Sequence, residues 1–285
     1  GGNAGTDPAS DYLGTSDDMP LELRVNTERI VRLETAPYQF GFAPNIIAGH
    51  PSNQVAGQVV GATISGGGFE EGSTYMPNVV EGIFGTIGGG WDNTAAGRWS
   101  TIGGGTDNEA IGGFTTVGGG AKNRASGLNA TVGGGFSNIA SGFRAAVPGG
   151  GQNQARGDFS FAAGRSARVK ADHDGSFAWS DATSAVTGDS LVTTGENQFL
   201  IRADGGVGIG TNAPTSPLTV NGLIELTSGG VKFPDGTIQS TAGGSSSNAW
   251  SLGGNAGTDP PSGDYLGTSD DTPLELRVSG ERAFR

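Results

Sequence analysis

The chain has 285 residues, room for about two ordinary domains, yet 55 of them are glycine, far above the usual share of about 7%. Sixteen Lys and Arg oppose 28 Asp and Glu, and the net charge of −12 argues against nucleic acid or an anionic membrane as partner. Cysteine is absent, which removes disulfides and thiolate metal sites and leaves the compartment open.

The first module spans residues 1–44. A turn-rich stretch, Gly2 to Pro8, leads into Tyr12-Leu13-Gly14-Thr15. Leu21 to Val25 and Arg29 to Leu33 then alternate apolar and polar residues around Asn26-Thr27, which predicts a β-hairpin. Asp17-Asp18 form either a solvated acidic turn or a pair of carboxylates able to hold a cation. No apolar run approaches the roughly 20 residues of a membrane span. The chain opens at Gly1-Gly2 with no start methionine or signal peptide, so a section of a longer or processed chain is expected.

Residues 45–169 are expected to form a glycine-rich roll. From 45 to 76 its pattern is loosened: Asn53 and Gly57 keep an Asn-to-Gly spacing of four, and Ile64-Ser65-Gly66-Gly67-Gly68 echoes a strand end. From Asn78 the pattern locks to a period of 15. Asn78, Asn93, Asn108, Asn123, Asn138 and Asn153 step by 15, as do Gly82, Gly97, Gly112, Gly127, Gly142 and Gly157. Ile87, Ile102, Val117, Val132 and Val147 keep the step, and so do Ala95, Ala110, Ala125, Ala140 and Ala155.

Helical repeats run to roughly 33 residues or more, so 15 residues suit one coil of a β-solenoid with two short strands. Period-2 alternation places Asn108, Ala110 and Gly112 on one face. At about 4.8 Å per coil, the Asn residues either pass amide hydrogen bonds up the stack or serve as turn residues that tolerate left-handed geometry. With one Ile or Val and one Ala inside, a coil buries too little to fold alone. Phe84, Trp99, Phe114 and Phe159, with Thr86, Thr101, Thr116 and Thr131, are expected on the outer face of the first strand, where they could meet a twin chain.

A transition segment (170–196) begins near His173-Asp174-Gly175. A β shaft (197–242) follows, with Phe199 to Arg202, Val207 to Thr211 and a Pro-Asp-Gly turn at Phe233 to Thr237 that sets Val231-Lys232 against Ile238-Gln239. Residues 243–285 hold a Gly/Ser linker, Gly243 to Asn248, and the start of a second copy of the first module. Gly253 to Pro260 repeats the opening, Leu274 to Val278 repeats the first strand, and Ser279-Gly280 replaces the turn. No segment has a helical period, so an all-β protein is expected.

Signals for chemistry are weak. Gly206-Val207-Gly208-Ile209-Gly210 suggests a dinucleotide loop, but Thr211, Pro214 and Pro217 deny it the helix it needs. His50 and His173 lie apart without a nearby nucleophile and read as solvated loop residues. Asp92 and Asp107 begin an acidic ladder of the calcium-roll kind, which Lys122, Ser137 and Gln152 end. Asp270-Asp271 repeat the choice posed at Asp17-Asp18. Neither a cofactor nor a catalytic residue is expected.

The repeat Gly-Gly-Gly-x-x-Asn-x-Ala-x-Gly-x-x-x-Thr-Val resembles the head repeats of trimeric autotransporter adhesins, with 15 residues in place of 14 and with triple glycines. Residues 197–222, with Val207 to Thr211 and Pro217 to Val220, resemble the shaft of phage tail fibres and related surface proteins, and Trp250 to Thr258 resembles modules of such chains. The resemblance implies a left-handed parallel β-roll intertwined as a homotrimer and an extracellular, cell-surface or phage-like location. A structural fibre is expected, continued end to end by further modules because Gly253 to Arg285 restarts the opening module; the alternative is an adhesin that recognises a surface glycan or protein receptor through aromatics such as Trp91 and Trp99.

Overall fold

The computed structural model describes residues 13–38, 41–182 and 189–239, together with the backbone of two residue pairs, 277–278 and 281–282. Every regular element among them is a strand. Two compact units are present, Gly1–Thr219 and Val220–Arg285.

The first unit is a parallel β-solenoid with coils of about 15 residues. One sheet has twelve strands and the other nine. In the regular coils the first sheet is built from Thr86–Ile87, Thr101–Ile102, Thr116–Val117, Thr131–Val132 and Ala146–Val147, each paired in register with the next. The second is built from Val79–Val80, Thr94–Ala95, Glu109–Ala110, Arg124–Ala125, Ile139–Ala140 and Gln154–Ala155. Single parallel bridges from Trp91 through Thr106, Ala121, Phe136 and Gly151 to Arg165 make a third ladder.

Each strand is only two residues long because the coil must turn again at once. Two positions of each coil call for glycine. At Gly105 φ is +89°, and a Cβ would lie 2.1 Å from the Gly120 carbonyl oxygen of the next coil. At Gly97 φ is ordinary, but a Cβ would lie 1.8 Å from Gly112 O. The first glycine serves a left-handed turn; the second serves close approach of stacked backbone.

The interior is a continuous column. Ile87, Ile102, Val117, Val132 and Val147 from one sheet meet Ala95, Ala110, Ala125, Ala140 and Ala155 from the other, all fully buried. It is wider than the sequence suggests. A further row, Ser100, Thr115, Ala130, Ala145 and Ser160, is buried just before the first strand of each coil. Phe84, Trp99, Phe114 and Phe159 stand immediately before this row with φ between 54° and 59°. They belong to a left-handed corner and not, as expected, to the outer face of the strand. A two-residue strand has no room for the third alternating position.

The expected module boundaries do not interrupt the sheets. The hairpin Leu21–Val25 with Glu28–Glu34 turns at Asn26 and Thr27, both with positive φ. Its second strand pairs antiparallel with Asn45–Ala48, which begins the parallel stack, so the hairpin forms the first edge of the twelve-stranded sheet. At the other end Phe161–Gly164, Phe177–Ser180 and Phe199–Arg202 continue that sheet, and Ala167–Val169 and Leu191–Val192 continue its partner. Pairing thus runs past residue 169 and past 196, because longer connections carry each new strand back into register.

The loosened pattern near the start also has a local cause. Ile64 pairs with Ile87 across 23 residues in place of 15. The excess is the hairpin Phe69–Glu71 with Thr74–Met76, eight residues inserted after Gly68.

In the second unit Val231–Lys232 pairs antiparallel with Ile238–Gln239. Asp235 accepts from the backbone N–H of Thr237 at 2.9 Å and from its hydroxyl at 2.6 Å. The hydroxyl bond is the main cause that holds this carboxyl below the ordinary Asp range. Arg277–Val278 pairs with Glu281–Arg282 through Val278↔Glu281, the register that Val25↔Glu28 has in the first copy. The linker from 243 to 248 and the repeated opening from 253 to 260 lie outside the described residues.

Candidate functional site

Three features of the solenoid stand out: a buried polar ladder, two sets of stacked aromatics and one groove.

The ladder is made by the six repeated asparagines, all fully buried. Asn108 illustrates the unit. Its side-chain amide nitrogen lies 3.1 Å from Asn93 Oδ1, 3.1 Å from Gly104 O and 2.9 Å from Gly120 O, so one NH2 group faces acceptors in three successive coils. Its Oδ1 in turn accepts from the backbone and side-chain nitrogens of Asn123, at 3.0 and 3.2 Å. The amide-to-amide contact recurs from Asn93 on Asn78 to Asn153 on Asn138. Only an amide can do this. A carboxylate cannot donate, and an alkyl group would strand both the carbonyls and the next amide. Below the ladder Asn53 Oδ1 accepts from Asn78 N at 2.9 Å; above it Asn153 Oδ1 accepts from Ala167 N at 3.0 Å, where the side-chain ladder ends. Asn53 thus joins the ladder although 25 residues, and not 15, separate it from Asn78.

The aromatics form two sets. Trp99 stacks on Phe84 at 6.0 Å and on Phe114 at 4.6 Å between ring centres, and the Arg98 guanidinium sits 3.8 Å above the Trp99 ring. Further along, Phe161, Phe177 and Phe199 occupy paired positions of one sheet and stack at 4.7 and 4.5 Å, with Phe199 left 68% exposed.

The groove, about 580 Å³ in volume, runs below the inserted hairpin. Tyr75 and Met76 line it from the hairpin, and Trp91, Asp92, Asp107 and Lys122 line it from three successive coils. Trp91 and Trp99 therefore sit on different corners of the coil and form no common aromatic face.

The ionisable groups are dispersed. His173 is not a solvated loop residue: it is buried, with Nδ1 2.6 Å from Thr193 Oγ1. His50 is half-buried, with Nδ1 2.6 Å from Ser52 Oγ and Nε2 3.4 Å from Glu70 Oε2 on the inserted hairpin. Among the described residues no three His, Cys, Asp or Glu side chains converge as a metal site would require. Asp17 and Asp18 are exposed, and Asp17 Oδ1 accepts from Met19 N at 3.3 Å; Asp270 and Asp271 lie outside the described residues. No helix among those residues is long and apolar enough to cross a membrane, which says nothing of a β-barrel. Among the described residues no helix follows the strand Val207–Ile209.

Protein-family models and curated proteins were compared with the chain, and none matches it.

Proposed function

We propose that the chain is a structural subunit of an extracellular β-fibre, assembled as an intertwined homotrimer of left-handed rolls and built from tandem modules. The observation that carries this reading is the continuous strand pairing of the twelve-stranded sheet from the first hairpin to Phe199–Arg202. Its backbone hydrogen bonds run along the stacking direction, the arrangement that resists extension of a fibre. Units that contact only their neighbours can be added without redesigning a core. The matched registers of the two hairpin copies support such addition. Exposed phenylalanine and tryptophan columns give a second chain an apolar surface to cover, and the net charge of −12 keeps a long assembly soluble. The buried asparagine amides of the regular coils are committed to structural hydrogen bonds, which suits a scaffold. A cell surface, a secreted filament or a phage-like particle would each use such a rod. Light scattering on the purified chain tests the proposal. A mass of three chains, with melting that rises with concentration, supports it; a folded, cooperatively melting monomer overturns it.

One observation favours a second role as an adhesin or receptor-binding fibre. The inserted hairpin and the groove beneath it are not needed to build a coil.

A further inference from the structure

The hairpin Phe69–Met76 is an addition with a clean seam. Gly68 takes the place in its coil that Trp91 takes in the next, donating from its backbone nitrogen to Gly90 O at 2.7 Å as Trp91 donates to Gly105 O at 3.0 Å. Excision of residues 69–76 would leave 15 residues between Ile64 and Ile87, the spacing of the regular coils. The hairpin is nevertheless held in place. Phe69 packs on Trp91 with ring centres 6.1 Å apart. On the other side His50 lies 6.2 Å from the Tyr75 ring and 3.4 Å from the Glu70 carboxylate. A fastened insertion that the coil does not need, roofing a groove of about 580 Å³, has the size and construction of a ligand site.

We propose that this groove binds a neutral saccharide. Trp91 is 39% and Tyr75 58% exposed, and both residues line the groove; the Trp91 indole offers a flat apolar face of the kind that packs on the C–H face of a sugar ring. Asp92, Asp107 and Lys122 stand on the same wall. Among the described residues none of their side chains forms a hydrogen bond or ion pair, so two acceptors and one donor stay free for hydroxyl groups. Two carboxylates against one ammonium disfavour an anionic sugar. The left-handed backbone of these three residues is not evidence for the site, because Ser137 and Gln152, outside the groove, share it. The proposal deepens the adhesin reading, on which it rests, and is independent of the fibre reading, since the groove lies within one chain.

The test is calorimetric titration of the full chain with neutral hexoses and their disaccharides, with sialylated lactose as the anionic control. A neutral sugar should bind, and Trp91→Ala and Tyr75→Ala should each weaken binding about tenfold or more, whereas Trp99→Ala on the other corner should not. Lys122→Ala, a change at an exposed position, should weaken binding with an unchanged melting temperature. Removal of residues 69–76 together with Pro77→Asn should abolish binding and preserve the solenoid's circular dichroism. No binding of any neutral sugar overturns the proposal. So does preference for the sialylated control, or an equal loss in the Trp99→Ala variant. Light scattering on the same samples reports on assembly separately, so a failed sugar titration leaves the fibre reading to its own test.

Discussion

Two corners of the coil face opposite demands with similar backbone. At one, Asp92, Asp107, Lys122, Ser137 and Gln152 take φ of 53–60° and are followed by a buried asparagine. At the other, Phe84, Trp99, Phe114, Asn129, Arg144 and Phe159 take φ of 54–59° and are followed by a small buried residue. The left-handed conformation is disfavoured for a residue with a Cβ, yet neither corner requires glycine, since the stack over-determines the turn. Residue identity is constrained one step later, where the side chain points inward. One corner then needs an amide, and the other needs only something small.

The largest effect should come from charge placed inside. Val117→Asp puts an unpaired carboxylate among buried alkyl groups and should cost about 3–5 kcal/mol. Asp92→Ala, on the solvated side of the corner, should change stability by less than about 0.5 kcal/mol. Equal melting shifts would mean that inside and outside are wrongly assigned.

Asn123→Ala should cost about 2–4 kcal/mol, because it removes one member of the ladder and orphans its neighbours on both sides. Chemical denaturation of this variant and of Ser137→Ala, at the same corner one coil on but outside the ladder, sharpens the contrast: the second should be several-fold milder.

These predictions mark how much the sequence could say. The period of 15 located the strands and the Ile/Val and Ala rows, since identical residues at identical spacing must stack. It left the asparagines open between ladder and turn, because buried and exposed Asn look alike in one dimension. It missed the Ser100, Thr115, Ala130, Ala145 and Ser160 row, whose members share size and not type. His173 read as solvated because its partner Thr193 is 20 residues away. The groove was illegible because it joins an insertion to coils that resume only after it.

Smaller effects test single positions. Gly105→Ala combines a φ of +89° with a Cβ 2.1 Å from a neighbouring carbonyl oxygen and should cost at least about 1–3 kcal/mol by thermal melting. Ser100→Ala should go the other way. Among the described residues the buried Ser100 hydroxyl has no hydrogen-bond partner, whereas Thr115 reaches Gly112 O at 2.7 Å, so removal of the Ser100 hydroxyl should stabilise by about 1 kcal/mol. The smallest expected change lies at Asp235. With its folded pKa lowered, the carboxylate supports its turn above the unfolded-state pKa, and that support fades as pH falls through the folded value. An NMR titration of Asp235 should show a pKa below that of an unstructured Asp peptide, and Thr237→Val should return it toward the ordinary value.

The most direct test of the central claim is electron cryo-microscopy of the native assembly. The account predicts three chains around one axis, each a column of coils rising about 4.8 Å per turn, with the hairpin module recurring along the fibre. Single solenoids, neither wound together nor continued, would contradict it.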